Sequence, residues 1–150
     1  MVNNIFNQLT QLDILELTII GESRGEPIEG QVAVGSVIRN RLYSNQVKYK
    51  SYIDVCLEAK QFSCWNQNDP NYNLLIGIAQ NLINGKLPLG INYKQCFWVA
   101  KGIFDWAIID NTKGSLYYLE YHLFNENRPS WARFPKNDPI KINHHVFFNL

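Results

Sequence analysis

The strongest constraint on this fold is one short segment, Gly21-Glu22-Ser23-Arg24-Gly25-Glu26-Pro27, set between two apolar stretches. Before it, Leu9, Leu12, Leu15, Ile19 and Glu22 recur at three- and four-residue intervals, the spacing of one helix face. Thr10 stands where an N-cap is needed. A first helix is therefore expected from about Thr10 to Gly21 or a little beyond. After the segment, Pro27 disfavours helix at Glu26 and suits the first turn of a second helix, expected over 27–42. Val32, Gly35, Val37 and Ile38 would pack there against a neighbour, with Gly30 and Gly35 permitting close approach. The turn between the helices is thus placed where a core meets a cleft.

Further helices are expected over 54–60, over 74–84 with Asn84-Gly85 as a left-handed stop, and over 95–109. The last has a broad apolar face of Phe97, Val99, Ala100, Ile103, Phe104, Ala107 and Ile108. The pattern changes after Gly114. Residues 115–121 alternate and are aromatic, which predicts a strand. Residues 125–138 are polar and carry proline, which predicts a loop whose Trp131 and Phe134 must bury; Trp131 is read as its core anchor. His145 to Phe148 reads as a closing strand antiparallel to the first. The expected class is α+β, mostly helical with a small C-terminal β-hairpin, in a single domain over 1–150.

Composition excludes several functions. The chain has 150 residues, 46% of them hydrophobic, so it is too apolar to be disordered and long enough for a core without metal or disulfide staples. Its 14 Lys and Arg against 13 Asp and Glu leave a charge of +1, which argues against nucleic acid as a partner. No apolar run approaches the ~20 residues of a membrane span, so no stable membrane insertion is expected. Cys56, Cys64 and Cys96 form no CxxC and are read as free thiols. The first ten residues show neither a basic nor an apolar signal region, which predicts synthesis in the cytoplasm and release by another agent.

Acids are scarce, seven Glu and six Asp, so a chemistry that needs one has few candidates. Glu22 ends an apolar helical face. Partial burial there disfavours the charged carboxylate, which suits a general acid. A Glu at such a turn also serves as a plain cap or as a partner of Arg24, and spacing alone leaves both readings open.

The block from Glu22 to Arg41, Glu-Ser-Arg-Gly-Glu followed by Gly30, Ala33-Val34, Val37 and Asn40-Arg41, resembles the opening block of the SleB/CwlJ family of cell wall hydrolases. Gln61-Phe62-Ser63-Cys64-Trp65-Asn66 is similar to the family's Q-F-S-x-W segment. Trp131-Ala132 and Asn143-His144-His145-Val146-Phe147-Phe148 are similar to its closing blocks. The resemblance spans about 12–148. Two departures stand out: Asn143 where many members have Gly, and Leu116-Tyr117-Tyr118 where many have Thr-His-Tyr.

The resemblance implies a lysozyme-like, lytic-transglycosylase-like domain that cuts peptidoglycan, with Glu22 as its catalytic acid. Its partner would be the glycan strand, at the β-1,4 bond between N-acetylmuramic acid and N-acetylglucosamine; the lack of a visible signal region fits a phage-lysis or particle-borne enzyme. A lytic transglycosylase needs no second carboxylate, because the muramyl 6-hydroxyl attacks its own anomeric carbon. A muramidase needs a base or nucleophile, and Glu26 is the nearest acid in sequence. Substrate-binding candidates are Ser23, Glu26, Phe62, Ser63, Trp65, Asn66, Tyr117, Tyr118 and His145. Phe62 and Trp65 are equally readable as core plugs. No cofactor or metal is expected, and a monomer is. A zinc amidase using His122, His144 or His145 is the runner-up, opposed by the absence of HExxH. Adjacent His144 and His145 would also point to opposite faces of an extended chain. A third alternative is a virion protein that binds peptidoglycan without cutting it.

Overall fold

The computed structural model describes residues 5–45, 49–87 and 90–150. Helix α1 (Gln11–Ser23) begins as expected. The Thr10 hydroxyl accepts from the Asp13 N–H at 3.1 Å, and the Asp13 carboxylate accepts from the Thr10 N–H at 2.8 Å. This reciprocal capping box satisfies two donors that a helix start leaves open. The helix runs two residues past Gly21, so Glu22 and Ser23 remain helical.

Helix α1 is buried on more sides than its apolar spacing implies. Besides Leu15 and Ile19, residues Ile14, Leu17 and Ile20 are fully buried. The reason is its central position: α2 (Ile28–Leu42), α3 (Tyr52–Leu57), α4 (Tyr72–Ile83) and α5 (Ile91–Phe104) all pack on it. A helix enclosed by four others needs apolar residues on every face.

Several helix ends differ from expectation, among them the start of α5, at Ile91 instead of 95. Helix α3 starts at Tyr52 because the Ser51 hydroxyl accepts from the Asp54 N–H, and it ends at Leu57, where Glu58 takes an extended ψ of 132°. Helix α4 begins two residues early and stops at Asn84 as anticipated. Helix α5 stops at Phe104 instead of reaching 109. Trp106 adopts φ +59°, and the N–H groups of Ala107 and Ile108 fold back to the Gly102 carbonyl at 2.8 and 3.1 Å. Ala107 is exposed as a result.

The C-terminal region is a three-stranded antiparallel sheet, not a two-stranded hairpin. Strands β1 (Tyr117–Glu120), β2 (Ile140–Ile142) and β3 (His145–Phe148) lie in the order β1-β3-β2. The expected pairing of β1 with β3 is present, with Tyr117 opposite Phe148 and Glu120 opposite His145. Strand β2 is three residues long, too short to carry a two-residue period. β1 also ends earlier than expected. The Glu120 carboxylate accepts from the Leu123 N–H at 2.9 Å and caps a short helix, α6 (Tyr121–Glu126). In the following loop the anchor is Ala132, fully buried with Phe124, Val146 and Phe148. Trp131 is 51% exposed and Phe134 81%, against the expectation that both bury.

Glycine matters where α1 meets the 3-10 turn Ser63–Trp65. A Cβ on Gly21 would lie 2.6 Å from the Cys64 Cβ. Only the missing side chain lets this turn sit against the end of α1.

Helix α1 also carries a half-buried acid, Glu16. Burial first, then the charge of Asp13, push its carboxyl up to about 8, with Lys101 opposing. A carboxyl raised in the folded state binds its proton more tightly there than in the unfolded chain. Glu16 therefore destabilises the fold progressively as pH rises from about 4.5 to about 8. Glu16→Gln should raise the midpoint of thermal unfolding at pH 8 and leave it nearly unchanged at pH 4. Equal shifts at both pH values would contradict this account.

Candidate active site

Glu22 sits in the last turn of α1, half-buried. The Tyr118 hydroxyl of β1 donates to its Oε1 at 2.7 Å. The backbone N–H of Cys64 donates to its Oε2 at 3.3 Å. Each carboxylate oxygen thus has one donor, from segments far apart in sequence. Tyr118 is suited to the task. Burial first, then the charge of Glu22, hold its phenol well above its ordinary value, so it keeps the proton it donates. The Cys64 thiol is likewise pushed up by burial and by Glu22, and stays protonated.

Two clefts meet at this carboxylate. One, of about 460 Å³, is lined by Arg41, Gln61, Ser63, Tyr117, Glu120 and Trp131. The other, of about 380 Å³, is lined by Arg24, Glu26, Asn71 and His144. Glu22 and His145 line both. An extended chain crossing from one cleft to the other would pass over Glu22.

Glu26 holds the corner between α1 and α2. Its side chain is 7% exposed, and the Nδ1 atoms of His144 and His145 lie 2.6 and 3.1 Å from its two oxygens. The His144 contact is an aligned hydrogen bond. The His145 pair lies within ion-pair distance without hydrogen-bond alignment, so we read it as a close electrostatic contact. His145 titrates below its ordinary value because burial outweighs the pull of Glu26 and Glu22. It is neutral at neutral pH. The two rings therefore converge on one carboxylate, instead of pointing to opposite faces. The chain turns at Asn143, φ +53°, and strand alternation begins only at His145. Gly30 makes room, since a Cβ there would lie 2.9 Å from the Glu26 Cβ and 3.0 Å from the Asn143 Nδ2.

The remaining candidates divide. Ser63, Tyr117, Tyr118 and His145 line the larger cleft with Glu22. Ser23 lines the smaller cleft, but it is 3% exposed and its hydroxyl donates to the Ile19 carbonyl at 2.8 Å, within its own helix. Phe62 is a core residue, 2% exposed beneath the Arg41 guanidinium. The Trp65 indole N–H donates to the Thr18 hydroxyl at 3.0 Å, and its ring meets Phe6 edge-on, so it is a core plug. Asn66 is exposed and lines neither cleft; its N–H donates to the Ser63 carbonyl.

Among the cleft residues that escape sequence reasoning as site residues are Arg41, Glu120 and Trp131. Arg41 is positioned by its own bonds, to the Leu116 carbonyl at 2.7 Å and the Gln61 amide oxygen at 3.2 Å. It closes the Glu22–Arg41 block, which was the available signal. Glu120 had none, because its place depends on where β1 stops. Among the described residues, no three His, Cys, Asp or Glu side chains are grouped as a metal ion would require. Cys56, Cys64 and Cys96 are free and buried.

A family model described as Cell Wall Hydrolase matches residues 25–148. The match begins three residues after Glu22 and includes Glu26, Arg41, Ser63, Tyr117, Tyr118, Glu120, Trp131 and His145. No curated protein and no solved structure matches the chain. With the family's pattern running through both helical and sheet regions and through most of the cleft lining, the chain belongs to the SleB/CwlJ-type cell wall hydrolase family.

Proposed function

We propose that this cell wall hydrolase cuts the β-1,4 bond between N-acetylmuramic acid and N-acetylglucosamine as a lytic transglycosylase, with Glu22 as its catalytic acid and base. The observation that carries this reading is the position of Glu22. Its carboxylate lies where two clefts join, and fixed donors hold both of its oxygens. A glycan strand lying through both clefts presents a glycosidic oxygen to it. Glu22 gives that oxygen a proton, and the bond to the muramyl anomeric carbon breaks through an oxocarbenium-like state. The muramyl 6-hydroxyl then closes on the same carbon. Glu22, now a carboxylate, takes up the hydroxyl proton and is ready to act again. Tyr118 and the Cys64 N–H orient the carboxylate throughout, which favours a reactive geometry. Glu26 is a poor second catalytic acid, since both its oxygens face imidazoles and it is nearly inaccessible.

One observation favours hydrolysis as a second reading. Glu120 lines the same cleft as Glu22. Backbone N–H groups of His122 and Leu123 hold its carboxyl below the ordinary value, so it is ionised. An ionised carboxylate in the same cleft as a general acid is what a muramidase uses to activate water or stabilise charge.

Glu22→Gln should lower the rate of muropeptide release from purified cell walls by about 10²–10⁴-fold, the usual contribution of a general acid, while wall binding persists. Activity near that of the native protein would remove Glu22 from the chemistry. Tyr118→Phe should cost roughly tenfold to hundredfold in kcat, as expected for losing a hydrogen bond to a charged group. The two readings separate by mass spectrometry of released fragments. Transglycosylation yields 1,6-anhydro ends lighter by one water than hydrolysis products, and it should survive Glu120→Gln. Reducing ends, abolished by Glu120→Gln, would establish the muramidase instead.

A further inference from the structure

The groove does not end at Tyr117. Arg41, Gln61 and Tyr117 also line a smaller cleft of about 190 Å³ that reaches Tyr49 and Glu58. Tyr49 in turn lines a further cleft of about 460 Å³, with Gln11, Tyr43, Tyr52, Phe104 and Trp106. A chain of shared lining residues therefore links this last cleft to the one at Glu22. Its volume falls within the range of about 300–1,000 Å³ typical of ligand sites.

Three features mark it as more than a surface dent. First, Tyr43 and Trp106 are 60% and 59% exposed, with ring centroids 5.1 Å apart. Large aromatic rings left open to water in a concave site are unusual unless something covers them. Second, Trp106 is held there at a cost. It takes the left-handed φ of +59°, rare for a bulky residue. The Arg39 guanidinium lies 4.2 Å from its ring centroid. Arg39 is itself buried and fixed by bonds to the Ile103 and Ile108 carbonyls at 3.1 and 3.0 Å. Third, Tyr52 in the lining is 3% exposed, yet among the described residues its hydroxyl has no hydrogen-bond partner. A buried polar group without a partner costs stability, and a ligand hydroxyl or carbonyl would satisfy it.

The chemistry of the lining selects the ligand. Sugars offer an apolar ring face to an aromatic platform, and hydroxyl or acetamido groups to a few fixed polar atoms. Lys50 is the lining's single charged residue, and no acid is present. The rest of the lining is aromatic, apolar or amide, which suits the ring faces and acetamido groups of an N-acetylhexosamine. We infer that this aromatic cleft binds an N-acetylhexosamine unit of the glycan strand away from the scissile bond, anchoring the enzyme on its substrate; this rests on the glycan-cleaving reading above. It also supplies wall affinity within the catalytic body itself.

The test uses the full chain carrying Glu22→Gln, labelled with ¹⁵N at its tryptophan indoles, and chitotetraose, a peptide-free tetramer of N-acetylglucosamine. Trp106 reports the aromatic cleft and Trp131 the catalytic one; each signal is assigned by its Trp→Phe variant. The expected result is movement of both signals on titration. Trp131 moving alone overturns the aromatic site and leaves the catalytic reading standing. Trp106 moving alone supports the aromatic site and counts against the catalytic groove as a glycan site. Neither moving overturns both. In parallel, Tyr43→Ala should bind insoluble cell-wall sacculi about fivefold more weakly, the size of one lost aromatic contact, with an unchanged thermal midpoint. Binding within twofold of the parent overturns the anchoring role. If Tyr43→Ala lowers the midpoint, Tyr52→Phe, which removes only the unpartnered hydroxyl, is read against the same thresholds.

Discussion

The grip on the Glu22 carboxylate is the contact that the rest of the molecule is arranged to make. Its donors come from Cys64 and Tyr118, so a helix, a 3-10 turn and a β-strand must all be in place at once. Each arrives for a separate physical reason. The turn reaches α1 because Gly21 has no side chain to hold it off. Tyr118 reaches it because β1 is held in register by β3, with Tyr118 opposite Phe147. Phe147 is fully buried and packs with Ala33 and Val37 of α2. The acid is therefore oriented by the packing of the sheet on the helical body, and not by neighbours in its own helix.

Glu26 plays the complementary part. An almost inaccessible carboxylate is expensive unless its charge is met. His144 meets it with a hydrogen bond from the turn between β2 and β3, and the His145 ring, at the start of β3, lies against its other oxygen. That ties the corner of the two N-terminal helices to the C-terminal sheet. Asn143 fits the same purpose. Its φ of +53° is a conformation that glycine adopts freely and asparagine tolerates better than most residues. The departure from the family's usual glycine is thus conservative at the level of the backbone.

Much of the helical framework was legible in the sequence, because long amphipathic segments and their caps carry local signals. Thr10, Pro27 and Asn84-Gly85 mark their boundaries within a residue or two. The end of α5 was not legible, because the apolar pattern runs on past Trp106 while the backbone reverses there. Strand β2 is too short to show a period. Glu22 and Tyr118, which a hydrogen bond joins, both lie in segments that the resemblance singles out. Phe62 and Trp65 sit in a matching segment, and their rings face the core, which a one-dimensional motif does not encode. Trp131 shows the converse. Size alone suggests burial, but Ala132 beside it takes the buried position and leaves the indole at the cleft.

The register of β1 against β3 has a consequence for how the chain comes into being. Strand β3 follows every helix in chain order. A chain emerging from the ribosome can complete its helical body, acid included, long before the strand that orients Tyr118 has been made. Such sequence-distant pairings close late, since the loop between them must be ordered first. The helices can therefore be in place before the grip on Glu22 closes, and that grip is completed only when the sheet is.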